Sequence, residues 1–289
     1  MVALSALWLL PSAPPRTYDA HRATGRITID GRLDEAEWSA APWTEDFADI
    51  LGDAGVSPPL RTRAKILWDD EQLYIGAEME EPHLWATLMD RDAIIYRDDD
   101  FEIFLDPDGD GMDYFEIEVN PHGALLDLFL NEPYSGGGRA RIDWDLPGLR
   151  AHVWLMGTLN DPSDLDRGWS VEMAIPWADL TPPVDGGNQE GRPTRSRPGF
   201  PPGPGDSWRI NFSRVDWPLE IVNGAYRKTA EPSRGNPHPE SNWVWSPQGA
   251  INMHLPERWG VVRFVTDPQN SMIEELQIET GWNRRAPGP

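Results

Sequence analysis

Apolar residues recur at every second position in short runs along most of the chain, which is the spacing of half-buried strands. The runs RTRAKILWD and LYIGAEMEE, joined at Asp69 to Gln72, predict an antiparallel hairpin. A second hairpin is predicted where FEIFLD is followed by YFEIEV, and ALLDLFLN, LRAHVWLMG, GWSVEMAIP, SWRINFSRV and WGVVRFVT add further strands. Each run is bounded by Gly, Pro, Asp or Asn. Upstream, ITIDGRLDEAEWSAAPW predicts a short strand at Ile27 and Ile29, an Asp30-Gly31 turn and a short helix carrying Leu33 and Trp38. The stretch 82–96, PHLWATLMDRDAIIY, keeps neither period and reads as an irregular crossing over the sheet. Many short strands with few helical periods give an all-β chain, an antiparallel, jelly-roll-like β-sandwich with short helices. A parallel α/β fold would need crossover helices, and the gaps between runs do not contain them.

This pattern holds over residues 24–266, which are assigned to a single sandwich domain. One segment interrupts it. Thr181 to Ser207, TPPVDGGNQEGRPTRSRPGFPPGPGDS, is dominated by Pro and Gly and gathers Arg192, Arg195 and Arg197. Strands continue on both sides, so 181–207 is an insertion loop and not a domain linker. Residues 1–23 form an N-terminal arm and 267–289 a C-terminal tail, in which SMIEELQIE has the look of one short helix. The opening MVALSALWLLPSAPP has two readings. It is an apolar arm, or the remnant of an export signal lacking its basic start, which would make the protein secreted or periplasmic. No other run approaches the roughly 20 apolar residues of a spanning helix.

Charge narrows the partners. The net charge is −23, from 48 acidic against 25 basic residues, a field that repels nucleic-acid backbones and anionic lipid and suits cations or neutral ligands. With no cysteine, thiol catalysis, cysteine metal sites and disulfides are excluded. There are 15 tryptophans, more than a core of this size requires, and flat amphipathic rings suit stacking on ligands such as sugars. Trp43, Trp68 and Trp177 stand beside turns as expected core residues.

The acids concentrate in one place. Ten of the 24 side chains in RDDDFEIFLDPDGDGMDYFEIEVN, residues 97–120, are acidic. Strand alternation sets Phe101, Ile103 and Leu105, with Phe115, Ile117 and Val119, on one face; Glu102, Glu116, Glu118 and Asn120 then share the other, with Glu102 near Glu118. Such a face is a solvated surface, a polar ligand surface or an ion site. The Glu102/Glu118 pair also admits glycoside hydrolysis, which uses two carboxylates. The connecting DPDGDG places Asp106, Asp108 and Asp110 at alternate positions before Gly111, like the first half of a calcium loop. The bidentate Glu expected at the twelfth position is replaced by Ile117, and a plain Asp/Gly turn is the alternative.

Other chemistry lacks its motifs. The six histidines show no HExxH or HxH spacing, and GxSxG, GxGxxG and P-loop patterns are absent. Met79, Met89 and Met253 leave a haem-binding sandwich as a minor alternative, although a Met in an apolar run is usually packing.

In order, IDGRLDEAEW, LWDDEQLYIGAEM, RDDDFEIFLDPDGD, GWSVEMAIPW, GDSWRINFSRV and ERWGVVRF resemble the family 9 carbohydrate-binding modules and their stand-alone relatives, over roughly residues 24 to 266. The resemblance implies a β-sandwich that binds carbohydrate without catalysis, clamping a sugar chain end between two aromatic rings. It also implies structural calcium and partnership with glycan-degrading enzymes. Glu102 matches a sugar-binding Glu of the family, and Tyr96 stands where its clamp has Trp. In SNWVW, Asn242 and Trp245 are similar to the Asn and Trp that complete such a site, with core packing the alternative for Trp245. The family's sugar-binding Arg has no clear match after the acidic hairpin.

Overall fold

In the computed structural model, residues 13–183 and 200–266 are described. Residues 1–12, most of the insertion and the tail lie outside them. The strands are β1 (Thr17–Arg22), β2 (Ala48–Asp49), β3 (Thr62–Trp68), β4 (Gln72–Met79), β5 (Asp100–Asp106), β6 (Tyr114–Val119), β7 (Leu125–Leu130) and β8 (Ala140–Arg141). They continue with β9 (Arg150–Leu155), β10 (Trp169–Pro176), β11 (Ser207–Asp216), β12 (Leu219–Val222), β13 (Ala225–Lys228), β14 (Ser241–Val244) and β15 (Gly260–Val265). One short helix, α1 (Ala36–Ala40), lies between β1 and β2.

Thirteen strands join one sheet in the order β8-β7-β6-β5-β11-β15-β1-β3-β4-β10-β9, with β14 pairing β11 and β2. The sheet curls on itself. Ala64, Ile66, Ile75, Val171 and Met173 from one side share a core with Phe101, Ile103, Phe115, Ile117 and Phe212 from the other. Alternation in the strands produces this directly, since only one parity of each strand can face inward. The sandwich and both predicted hairpins are therefore present, and 82–96 carries no strand.

Two expectations change, and one hairpin is new. Residues 17–22, assigned to the N-terminal arm, form β1, which pairs in parallel with both β15 and β3, so the sheet is mixed and the domain begins before residue 24. Ile27 and Ile29 lie in irregular chain, with Ile27 buried under α1 beside Trp38. Glu172 holds this segment down. Its carboxylate accepts from the Asp30 and Gly31 amides and from Trp38 Nε1 at 2.8, 3.1 and 2.7 Å. Gly31, at φ 87°, lies against the β9 backbone, where a Cβ would come 2.7 Å from the Trp154 nitrogen. Finally, β12 and β13 form a separate hairpin over Trp85 and Trp217, turned by Asn223-Gly224 at φ 54° and 78°. Asn-Gly favours such two-residue turns because both residues tolerate positive φ.

Of the tryptophans expected in the core, Trp68 and Trp177 are there. Trp43 is half-buried at the surface, its ring covered by Arg63 at 4.0 Å and Lys65 at 4.4 Å. Among the described residues, no helix is long and apolar enough to cross a membrane.

Candidate functional site

The outward face of β5 and β6 is roofed, not solvated. A cleft of 670 Å³ opens above it, walled by Leu126 and Leu128 of β7, the segment leading into β14, and the loop at Ile251–His254. On its floor Glu102 stands opposite Glu118, and Glu116 lies two pairs further along, opposite Phe104. The register predicted from alternation is thus the one observed. All three glutamates are buried, which corrects the reading of this face as a solvated surface.

Burial sets their electrostatics. Loss of solvation, with the Glu240 charge adding, pushes the Glu102 carboxyl up to about 7. Burial, followed by repulsion from Glu102 for Glu116 and from both Glu116 and Glu102 for Glu118, pushes these two well above the ordinary carboxylate range. Asp100, behind Glu102, rises for the same reasons. Oxygens of Asp100, Glu102 and Glu118 lie within 4.8 Å of one another, close enough to share one positive charge.

Two tyrosines stand over this floor. Tyr96 projects from a one-turn 3-10 helix, Ile95–Arg97, and Tyr134 from another, Tyr134–Gly136. They line the cleft at 45% and 49% exposure, which leaves ring surface open to a stacking ligand. Their backbones are fixed. The Tyr96 amide donates to Glu118 Oε2 at 2.9 Å, and Trp217 Nε1 donates to the Tyr96 carbonyl at 3.0 Å. The Tyr134 ring meets the His254 ring edge-on at 4.4 Å, and His254 Nδ1 shares a hydrogen bond with the Tyr114 hydroxyl. Burial pulls His254 down to about 4, leaving it neutral at pH 7.

Tyr96, Glu102, Glu118 and Asn242 therefore gather in one cleft, as expected. Two expected residues do not join them. Asn120 is buried beneath, its Nδ2 donating to the Leu88 carbonyl and to Asp98 Oδ2, its Oδ1 accepting from the Ala124 amide. It braces the crossing segment and presents nothing to a ligand. Trp245 is fully buried in the sandwich core, edge-on to Tyr18 and packed on Phe212. The reason is parity. Trp243 and Trp245 point inward while Asn242 and Val244 point to the cleft side, so Asn242 and Trp245, three apart in extended chain, cannot serve one surface. Tyr134, Glu116 and Glu240 were not anticipated as site residues. Glu116 shares the parity of Glu118, whereas Tyr134 is a lone aromatic in a Gly-rich turn whose placement depends on the fold.

The triplet Asp98-Asp99-Asp100 is structural at its start. Asp98 accepts from the Thr87 amide and hydroxyl, the Leu88 amide and Asn120, and Asp99 from the Trp217 amide. In the DPDGDG loop, Asp106 is buried and accepts from the Gly109 and Gly111 amides, while Asp108 and Asp110 are exposed. The three carboxylates still approach within 4.8 Å of one another. Burial, with Asp108 and Asp110 adding, pushes Asp106 up to about 7. The methionines considered for haem lie apart: Met79 in the core, Met89 on the surface at 65% exposure, Met253 at the cleft.

Comparison with known proteins agrees with this architecture. Residues 29–125 match the family model described as carbohydrate family 9 binding domain-like. A family 9 carbohydrate-binding module from Caldicellulosiruptor kristjanssonii in complex with cellotriose superposes with a TM-score of 0.52 over 89% of this chain and 97% of that one, at 16% identity. Exoglucanase XynX of Acetivibrio thermocellus is 26% identical over 157 residues, 54% of this chain and 12% of that protein. Endo-1,4-beta-xylanase A of Thermoanaerobacterium saccharolyticum is 27% identical over 158 residues, 55% of this chain and 11% of that protein. The chain thus matches about a tenth of the length of these relatives. Residues 29–125 are similar to the family 9 binding domain, and the fold is the β-sandwich of the family 9 modules.

Proposed function

We propose that the protein binds carbohydrate without catalysis, in the cleft above β5 and β6. The observation that carries this reading is the pair of half-exposed tyrosine rings, Tyr96 and Tyr134, over a floor of buried carboxylates. Sugars present apolar ring faces and hydroxyl edges, and this cleft offers stacking surfaces and acceptors in the same place. The fold is shared with a module in complex with cellotriose. The apolar N-terminal run supports an exported protein, and the likeness to segments of an exoglucanase and a xylanase supports action beside glycan-degrading enzymes.

Hydrolysis by Glu102 and Glu118 is the second reading, favoured by a carboxyl near 7 of the kind a general acid requires. Both residues belong to adjacent strands of one floor, however, whereas a glycosidase sets its carboxylates on either side of the scissile bond. A glycan array followed by product analysis separates the two. Binding with no product after long incubation is expected. Wild-type product that disappears in Glu102→Gln, with binding retained, overturns the non-catalytic reading.

We also propose the Asp106, Asp108 and Asp110 loop as a structural calcium site. Its oxygens converge, and its repulsion would be relieved by a cation.

A further inference from the structure

The floor of the cleft differs from every other buried acidic site described above in one respect. Asp98 has four donors, and Glu172 has three. Glu116 Oε2 on the floor and Glu240 Oε2 at the wall are buried without a hydrogen-bond partner among the described residues, and so is Asp100 Oδ2 behind the floor. Buried acceptors without donors are costly, and several together mark a place where a ligand completes the network.

The charges around them are lopsided. Glu102, Glu116, Glu118 and Glu240 line the cleft. Against them stand Arg97, exposed at the rim, His238, paired with Glu240 at 3.0 Å, and the neutral His254. A neutral sugar hydroxyl can donate one hydrogen bond to such a floor, but it removes water without supplying charge. A protonated amine supplies three donors and the positive charge that lets the floor carboxyls, otherwise held protonated by burial, ionise, and the tyrosine faces above favour a cation as well.

We propose that the cleft selects glycans bearing free amino groups, of the 2-amino-2-deoxyhexose class found in deacetylated chitin, over neutral glucans. The selectivity resides in Glu116 and its neighbours Glu102 and Glu118. This rests on the carbohydrate-binding reading and names the class of sugar for the same cleft.

The test is isothermal titration of the full chain near neutral pH, with chelator present, against the glucosamine trimer, its N-acetylated form and cellotriose. These share a linkage and differ at one substituent. The free-amine trimer is expected to bind about tenfold or more tighter than either neutral sugar, the gain of a charge-assisted hydrogen bond. In Glu116→Gln and Glu118→Gln, each checked for an unchanged fold by circular dichroism, that ratio shrinks toward one. Equal affinities for the three trimers in wild type overturn the inference while leaving carbohydrate binding intact. A ratio that survives in both variants overturns the assignment to this floor. If calcium is required for any sugar to bind here, the floor holds a metal and the inference falls. No binding of any sugar removes the carbohydrate reading itself, and the inference with it.

Discussion

One hairpin carries two acidic clusters that look alike in sequence and behave differently in structure. In the loop between β5 and β6, D-P-D-G-D places carboxylates at alternate positions; on β6, E-I-E does the same. The loop carboxylates turn back on their own chain: Asp106 takes the Gly109 and Gly111 amides, and Asp110 the Met112 amide. Strand carboxylates cannot do so, because the neighbouring amides are already held in the ladder with β5 and β7 and the side chains stand off the sheet. Acids in the turn shape the backbone. On the strand, Glu118 takes an amide only from outside the sheet, at Tyr96, and Glu116 is left facing the cleft with Oε2 unpartnered.

The largest expected effect tests the shaping class. Asp98→Ala strips four donors of a buried acceptor, at about 1–3 kcal/mol for each donor left unsatisfied, so denaturant unfolding should show a loss of several kcal/mol. Glu116→Gln should cost little or raise stability, since it removes a charge that the folded state resists. Comparable losses for both would dissolve the distinction between the classes.

Aromatic rings divide in the same way. Trp245→Ala should destabilise the protein by about 3–5 kcal/mol as a core truncation, whereas Tyr134→Ala should leave the melting temperature nearly unchanged and weaken glycan binding by roughly 1 kcal/mol. Weaker binding by a fully stable Trp245→Ala would return that ring to the site.

Calcium sharpens the loop side of the comparison. From chelated protein, saturating calcium should raise stability by about 2.7 kcal/mol at a hundredfold excess over its dissociation constant, and Asp108→Asn with Asp110→Asn should abolish the rise. An unchanged wild-type melting curve removes the site.

The smallest effect is a slope with pH. Glu102, pushed up to about 7, and Glu116 and Glu118, also raised well above the ordinary carboxylate range, hold protons in the folded protein that the unfolded chain releases near 4.5. Their stabilising contribution is fully present below about 4.5 and is lost as pH rises, for Glu102 through about 7. The wild-type melting temperature should therefore fall across that window more steeply than that of Glu116→Gln. Parallel profiles would show the floor to be hydrated and ordinary.

Much of this was legible before the structure. Period-two alternation sorted the β5–β6 faces and set Glu102 opposite Glu118, because a strand with one buried face has only one workable register. The same parity excludes Trp245 from the side that Asn242 faces, a signal present in SNWVW and overridden by resemblance. The Asn-Gly turn between β12 and β13 was equally readable. Strand β1 was not. Its parallel partners are β15, more than two hundred residues away, and β3, and six residues with a single Tyr-Asp-Ala alternation carry too little signal to reveal them. Tyr134 depends on where a glycine-rich turn happens to land, which no local pattern records.

Strand β1 also decides how the domain answers to force. It runs parallel to β15, with Thr17 beside Val261 and His21 beside Val265. A pull applied at the start of β1 and the end of β15 drags two neighbouring strands past each other lengthwise. Their hydrogen bonds are then loaded together, in shear, and do not open one after another as in a peeled hairpin. Rupture under tension is governed by the unfolding rate, and such a geometry keeps that rate low. A protein anchored to a solid polymer while its chain is tugged from both ends would hold at this seam.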